Sequence, residues 1–238
     1  MSASPPRALV EICVGDVASA VAAARAGADR LELCADLGVG GTTPSIGTVR
    51  AVLERTDIPL RVMVRPRGGG FTYDATELAA MTYDVQALRD LAGSWPGRVG
   101  VVTGALAPDG SVDEAATAQL VGEAGPMPVV FHKAFDETPD QDAALDTLIA
   151  LGVAGVLTSG GATGALEGAD RLAALRTRAA GRIDLVAGGG IRAHNVVEVI
   201  GRSGVDQVHL RAAATDSWPH ATDPDQVRAV LAALRRSV

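Results

Sequence analysis

Cysteine is scarce in this chain. Only Cys13 and Cys34 occur among its 238 residues. Two cysteines are too few for the disulfide framework of a small secreted protein, and in a reducing compartment we expect them to be free thiols. No stretch of 18 apolar residues is present, which argues against a membrane-spanning helix and a membrane partner. The first residues lack the apolar core of a signal peptide, so the sequence predicts a cytoplasmic protein.

Basic residues are also fewer than acidic ones. The chain has 21 lysines and arginines against 28 aspartates and glutamates, which gives a formal net charge of −7. Proteins that bind nucleic acids draw most of their affinity from basic residues placed against phosphates, and no such cluster is present here. The sequence therefore predicts no nucleic-acid partner, and it leaves open whether the chain forms a homo-oligomer.

Short apolar runs alternate with helical patterns along the whole chain. Strand-like runs such as 8–13, 30–34 and 60–65 are each followed by a segment with apolar residues at helical spacing. The pattern occurs eight times, at about 30 residues per unit, and eight units close a (β/α)₈ barrel. We predict an α/β fold with a single TIM-barrel domain over residues 1–238, in which residues 1–7 form a flexible N-terminus. An open, doubly wound sheet is the alternative, but no Gly-rich dinucleotide fingerprint follows the first strand.

Charged residues alternate with aliphatic ones in the first three predicted strands. The aliphatic positions should face the outer helices, which leaves Glu11, Glu32, Arg61 and Arg65 pointing into the barrel. One interpretation is a buried network of ion pairs that fills the interior, since buried charges must be paired. The other is that the upper members line a polar mouth, where barrel enzymes keep their chemistry.

The two cysteines share this inward orientation. Cys13 and Cys34 end neighbouring strands, which run roughly 5 Å apart, so their sulfurs could approach each other. They could serve as small buried apolar side chains, which is how free cysteine usually behaves. They could also bind a soft ion such as Cu(I) as thiolates. The nearby carboxylates of Glu11 and Glu32 are expected to raise the pKa values of both thiols and to oppose metal binding.

Gly-rich segments follow three predicted strand ends, at 65–70, 157–161 and 187–191. Glycine lets backbone N–H groups come close to an anion, and barrel enzymes often hold phosphate in the loops after the seventh and eighth strands. With basic side chains at the same end, these segments predict a site for a small anionic ligand. The residues predicted to bind it are Arg65, Arg67, Gly188, Gly189, Gly190 and Arg211.

Three further residues are candidates for acid–base catalysis: His132, Glu32 and Asp136. His132 ends the fifth predicted strand, and Asp136 follows four residues later, within expected reach of the imidazole ring. A carboxylate partner would fix the tautomer of the ring and favour its charged form. A histidine and carboxylates beside an anion-binding group are typical of an enzyme that moves protons on a bound substrate.

Several motifs resemble those of the CutC family of copper homeostasis proteins, over about residues 9–212. They are Gly27-Ala-Asp-Arg-Leu-Glu-Leu-Cys34, Gly40-Gly-Thr-Thr-Pro-Ser45, Met63-Val-Arg-Pro-Arg-Gly-Gly69, Phe131-His-Lys-Ala-Phe-Asp136, Leu157-Thr-Ser-Gly-Gly161 and Gly188-Gly-Gly-Ile191. The chain departs from the family pattern at Gly70, Lys133 and Arg211, where the family usually has Asp, Arg and Ser.

The resemblance implies a (β/α)₈ barrel, a cytoplasmic location and a role linked to copper, with Cys13 and Cys34 as metal ligands for Cu(I). The alternative is a barrel enzyme of unknown reaction that acts on a small anionic, phosphorylated or unphosphorylated, metabolite. Under the first hypothesis the partner is a copper ion, and under the second it is a small organic anion. Apart from Cu(I), the sequence gives no sign of a cofactor.

Overall fold

The computed structural model describes residues 8–214 and 221–236, which form a closed barrel of eight parallel strands paired in sequential order. The strands are β1 (Leu9–Val14), β2 (Arg30–Leu33), β3 (Leu60–Met63), β4 (Val99–Thr103), β5 (Val129–Phe131), β6 (Gly155–Thr158), β7 (Asp184–Gly188) and β8 (Gln207–Leu210). Because β8 pairs with β1, the described sheet has no open edge. The predicted (β/α)₈ barrel is confirmed, and the predicted flexible N-terminus, residues 1–7, lies outside the described residues.

One helix follows each strand. The helices are α1 (Val17–Ala26), α2 (Ile46–Leu53), α3 (Ala75–Ala92), α4 (Glu114–Ala124), α5 (Gln141–Ala150), α6 (Ala169–Ala179), α7 (Val196–Ser203) and α8 (Pro224–Arg235). Two short 3₁₀ helices, Leu37–Val39 and Lys133–Glu137, lie in loops at the carboxyl ends of the strands. None of the helices in residues 8–214 and 221–236 combines the length with the apolar composition that a membrane span requires.

Aspartate side chains begin most of these helices. The N-cap aspartates of α1, α3, α4, α5 and α8 each accept a hydrogen bond from a backbone N–H of the first turn. At α3 the cap is reciprocal, because the carboxylate of Glu77 also accepts from the backbone N–H of Asp74. Such caps satisfy donors that a helix cannot pair internally, and each contributes about 1 kcal/mol.

The two faces of each strand divide the core into two layers. Val10, Ile12, Leu31 and Leu33 are fully buried in the large apolar cluster between the strands and the helices. A separate, smaller cluster inside the barrel contains Cys13, Cys34, Met63, Val102 and Val130. The alternation read from the sequence therefore predicts correctly which side chains enter the barrel. Both cysteines and the charged side chains of the first three strands therefore lie inside the barrel.

A cavity lined by cysteine, histidine and arginine at the barrel mouth

A network of charged side chains fills the middle of the barrel around Glu11. Its carboxylate accepts hydrogen bonds from Arg30 Nε and, at 3.1 Å, from Arg61 Nη1, and it pairs at 2.8 Å with His209 Nδ1. A second nitrogen of Arg30 donates to the Gln207 side chain at 2.8 Å. Burial would raise the pKa of Glu11, but the His209 hydrogen bond and the charge of Arg61 hold it well below its usual range. Glu11 and Arg61 therefore belong to a buried ion-pair network.

His209 connects this network to the cysteines above it. Its Nε2 lies 3.5 Å from the carboxylate of Glu32, on the opposite side of the ring from Glu11. Burial would lower the pKa of His209, but the charge of Glu32 and a hydrogen bond with Cys13 raise it well above its usual value. Burial and the nearby charges of Cys13 and Glu11 raise the pKa of Glu32 to about 8. One oxygen of Glu32, Oε1, is buried and has no hydrogen-bond partner among the described residues.

The thiols of Cys13 and Cys34 meet beside Glu32. One ligand atom from each of these three residues lies within 4.8 Å of the other two, and Cys34 Sγ donates to Glu32 Oε2 at 3.8 Å. The interaction between the two thiols lowers the pKa of Cys13 and raises that of Cys34, and burial adds to the rise at Cys34. The expectation that both pKa values rise is thus wrong for Cys13, because Cys34 and His209 hydrogen-bond to its sulfur and outweigh burial.

These residues line a cavity of about 380 Å³ that opens at the carboxyl ends of the strands. Sulfur, imidazole, cationic, carboxylate and apolar side chains all contribute to its wall. Its lining includes Cys13, Glu32, Cys34, Val39, Met63, Arg65, Phe71, His132, Lys133, Glu137, Leu157 and His209. This volume lies within the range of small-molecule binding sites, and it exceeds what a single metal ion requires.

Arg65 is the only predicted anion-binding residue that lines this cavity within the described chain. Its guanidinium is buried and donates to the backbone carbonyls of Val39 and Gly41, both at 3.1 Å, and of Gly69 at 2.5 Å. The Phe71 ring stacks on it, with its centroid 4.8 Å from Arg65 Cζ. Through these hydrogen bonds Arg65 links the loop that follows β2 to the loop that follows β3.

The other predicted anion-binding residues lie elsewhere. Arg67 is exposed, pairs with Glu77 and stacks on Tyr73, outside the cavity. Arg211 is half-buried after β8, and neither it nor the segment 188–190 lines the cavity. Gly188 is the last residue of β7, and the backbone carbonyl of Gly190 accepts a hydrogen bond from the side-chain amide of Asn195. The structure therefore separates the arginines that the sequence suggested would act together.

His132 has surroundings that differ from the expectation. Its ring caps the 3₁₀ helix Lys133–Glu137, because Nδ1 accepts a hydrogen bond from the backbone N–H of Ala134 at 3.2 Å. Burial and the charge of Arg65 lower the pKa of His132 to about 3, so the ring is neutral. The expectation that Asp136 makes it cationic is wrong, since no carboxylate contacts the ring among the described residues.

Asp136 turns away from His132 and binds the loop after β6. Its carboxylate accepts from Thr158, Lys133, Gly161 and both the backbone and the hydroxyl of Ser159. Burial would raise the pKa of Asp136, but the hydrogen bonds from Lys133 and Thr158 lower it. A carboxylate with so many donors has little capacity left for proton transfer, and its position indicates that it holds the loop in place.

Three residues of the site are not among those to which the sequence assigns a role: Arg30, His209 and Phe71. Arg30 and His209 sit at inward positions of β2 and β8, and register places both beside Glu11. The alternation of β8 predicts that His209 points inward, and the register of β8 against β1 in the closed barrel is the signal that assigns it to the Glu11 network. Phe71 lies in a long loop whose path no local pattern reveals.

The comparisons with known proteins agree on one family. A model of the CutC family matches residues 8–214. The chain is 48% identical over 204 residues to a CutC family protein of Mesorhizobium japonicum, which covers 86% of this chain and 77% of the relative. It is 44% identical over 207 residues to the copper homeostasis protein cutC homolog of Homo sapiens, covering 87% of this chain and 74% of the human protein.

A solved structure gives the same result. The proposed copper homeostasis protein CutC from Streptococcus agalactiae has a TM-score of 0.77 to this chain at 34% sequence identity, covering 85% of this chain and 97% of that one. The family match spans all eight strands and seven of the eight helices of the described barrel. The chain therefore belongs to the CutC family.

Proposed function

We propose that this chain serves copper homeostasis by binding one Cu(I) ion between Cys13 and Cys34 at the mouth of the barrel. The observation that carries the proposal is the convergence of the two sulfurs, which lie within 4.8 Å of each other at the wall of an open cavity. A metal–thiolate bond measures about 2.3 Å, so two sulfurs on either side of one ion are separated by at most about 4.6 Å.

The donor set suits Cu(I) better than harder ions. Thiolate and thioether sulfur select Cu(I), whereas carboxylate and carbonyl oxygen suit Mg²⁺ or Ca²⁺. Cys13 and Cys34 pack in one buried cluster with Met63, Val102 and Val130, so apolar side chains support the two ligands from inside the barrel. The human and streptococcal relatives carry copper homeostasis in their names, which supports copper as the cargo.

A cytoplasmic location fits this proposal. Free thiols on neighbouring strands remain reduced only where glutathione and thioredoxin keep them so. Both cysteines are free in the structure, and their role as ligands requires that they stay free.

A titration of Cu(I) under argon against a chromophoric chelator tests the proposal. Wild-type protein should take up one equivalent of Cu(I) per chain, and the Cys13→Ser/Cys34→Ser double variant should take up none at the same chelator concentration. Serine is close in size to cysteine but is a hard, weak ligand, so the double variant should keep the fold, as checked by circular dichroism.

Val102→Ala provides a control, because Val102 lies in the same apolar cluster but carries no ligand atom, and the substitution keeps both thiols. Its Cu(I) uptake should equal that of the wild type. Equal uptake by the wild type and the double-serine variant would contradict the proposal, and so would a wild type that leaves all Cu(I) with the chelator.

A further inference from the structure

Arg65 is a buried cation without a carboxylate partner. Its relative exposure is 5%, and no Asp or Glu oxygen lies within 4.0 Å of its guanidinium anywhere in residues 8–214 or 221–236. Buried charges in proteins are normally paired, because removing an ion from water costs several kcal/mol. The three acceptors of Arg65 are neutral carbonyls, which solvate its positive charge without neutralising it.

The hydrogen bonds of Arg65 also leave donors unused. A guanidinium has five N–H groups. Both N–H groups of Nη1 are engaged by Val39 and Gly41, and Nη2 has the single acceptor Gly69. Nε is buried and has no hydrogen-bond partner in the described chain. The Tyr73 hydroxyl lies near enough to Arg65 to feel its charge, but it too has no hydrogen-bond partner at the usual distance among the described residues. One N–H of Nη2 and the N–H of Nε therefore remain for a ligand, and a carboxylate can accept both in the bidentate arrangement that arginine favours.

His132 offers a second unused donor in the same cavity. Since Nδ1 accepts from the backbone N–H of Ala134, the proton of the neutral ring must sit on Nε2. Nε2 is buried and lacks a hydrogen-bond partner in the described structure. A neutral imidazole N–H is a donor suited to an uncharged oxygen, such as a carbonyl or a hydroxyl.

The Phe71 ring connects these two groups. It lies 4.9 Å from the His132 ring and 4.8 Å from Arg65 Cζ, and all three side chains line the same cavity. Phe71 is only half-buried, whereas its backbone carbonyl is anchored by the N–H of Leu106 at 2.9 Å. The half-buried ring therefore packs against both groups, while its backbone is held in place.

The remaining charged groups of the cavity do not compete for this role. Lys133 Nζ is already bound to Asp136 at 2.6 Å and to Ser159 Oγ at 2.9 Å. The carboxylates that line the cavity, Glu32 and Glu137, form no ion pair with Arg65. Arg65 is thus the lining cation whose charge no described side chain balances.

From this arrangement we propose that the cavity binds a small oxo or hydroxy carboxylate, with its carboxylate on Arg65 and its neighbouring oxygen on His132 Nε2. The proposal goes beyond copper binding, because its donors are Arg65, in the loop after β3, and His132, directly after β5. Neither cysteine takes part. It commits to a carboxylate rather than a phosphate, because the single unbalanced positive charge of Arg65 matches the single negative charge of a carboxylate, whereas a phosphate carries close to two.

Calorimetric titration of the copper-free protein with pyruvate, L-lactate, acetate and inorganic phosphate tests the proposal. Pyruvate and L-lactate should bind at one site per chain and more tightly than acetate, which lacks the second oxygen. Arg65→Lys keeps the charge but loses the fork, and it should weaken pyruvate binding about tenfold or more. Arg67→Lys, the matched control at an exposed arginine outside the cavity, should leave the affinity unchanged.

Two further variants keep the test decisive if Arg65→Lys folds poorly. His132→Asn retains a side-chain acceptor for the Ala134 N–H and should abolish the preference for pyruvate over acetate. Cys13→Ser/Cys34→Ser should bind pyruvate like the wild type, which separates this proposal from the copper site. Absence of pyruvate and lactate binding, binding of phosphate alone, or equal affinity in the Arg65→Lys and Arg67→Lys variants would overturn the proposal.

Discussion

The neutral state of His132 makes the stability of the protein depend on pH in a defined direction. In the folded chain the pKa of His132 is about 3, against an ordinary value of 6.5. The unfolded chain therefore binds more protons than the folded one between these values, and this histidine's contribution to stability is complete above pH 6.5 and is lost as the pH falls towards 3.

The magnitude follows from the same two values. At pH 5.5 the unfolded histidine lies one pH unit below its pKa of 6.5, while folded His132 is still neutral. One unit corresponds to about 1.4 kcal/mol of free energy of unfolding. A pH of 5.5 also stays above the isoelectric point near 5.1, where solubility would suffer.

Urea unfolding of the wild type and of His132→Asn at pH 8 and pH 5.5 measures this effect. Asparagine is a good helix-capping residue and can still accept from the Ala134 N–H, but it does not titrate. All other titrating groups are common to both proteins, so the wild type should lose about 1.4 kcal/mol more than the variant. Equal losses would refute the account, and a wild type that gains stability relative to the variant would indicate a cationic His132.

Three other substitutions have expected outcomes. Glu11→Gln removes the carboxylate that neutralises two buried arginines and should lower the free energy of unfolding by about 3–5 kcal/mol in urea denaturation; a loss below about 1 kcal/mol would contradict the buried network. Gly168→Ala places a Cβ 1.8 Å from the Ser159 carbonyl oxygen and should lower the thermal midpoint, whereas the control Gly122→Ala, with open space in α4, should raise stability by up to about 1 kcal/mol; similar midpoints would argue against the packing described. Asp136→Asn should speed hydrogen exchange at the Ser159 amide, and unchanged exchange would show that Asp136 does not hold that loop.

The sequence predicts the barrel and the contents of its interior well. Strand periodicity alone distinguishes inward Glu11 and Cys13 from outward Val10 and Ile12, since successive strand residues point to opposite faces. The closeness of Cys13 and Cys34 follows from the same rule together with the order of the strands.

The sequence is less informative about the loops at the mouth. Arg65 and Arg67 are two residues apart in one Gly-rich segment, yet one is buried among carbonyls and the other pairs with Glu77 in solvent. That difference depends on the path of the loops and not on residue type. Likewise, spacing suggested that Asp136 would reach His132, but the turn of the 3₁₀ helix directs it towards Ser159 instead.

X-ray absorption at the copper edge of Cu(I)-loaded protein tests the central claim most directly, because it reports the atoms that surround the ion. The account predicts two sulfur neighbours in the wild type and their loss in the Cys13→Ser/Cys34→Ser variant. A first shell made only of nitrogen and oxygen atoms in the wild type would contradict it.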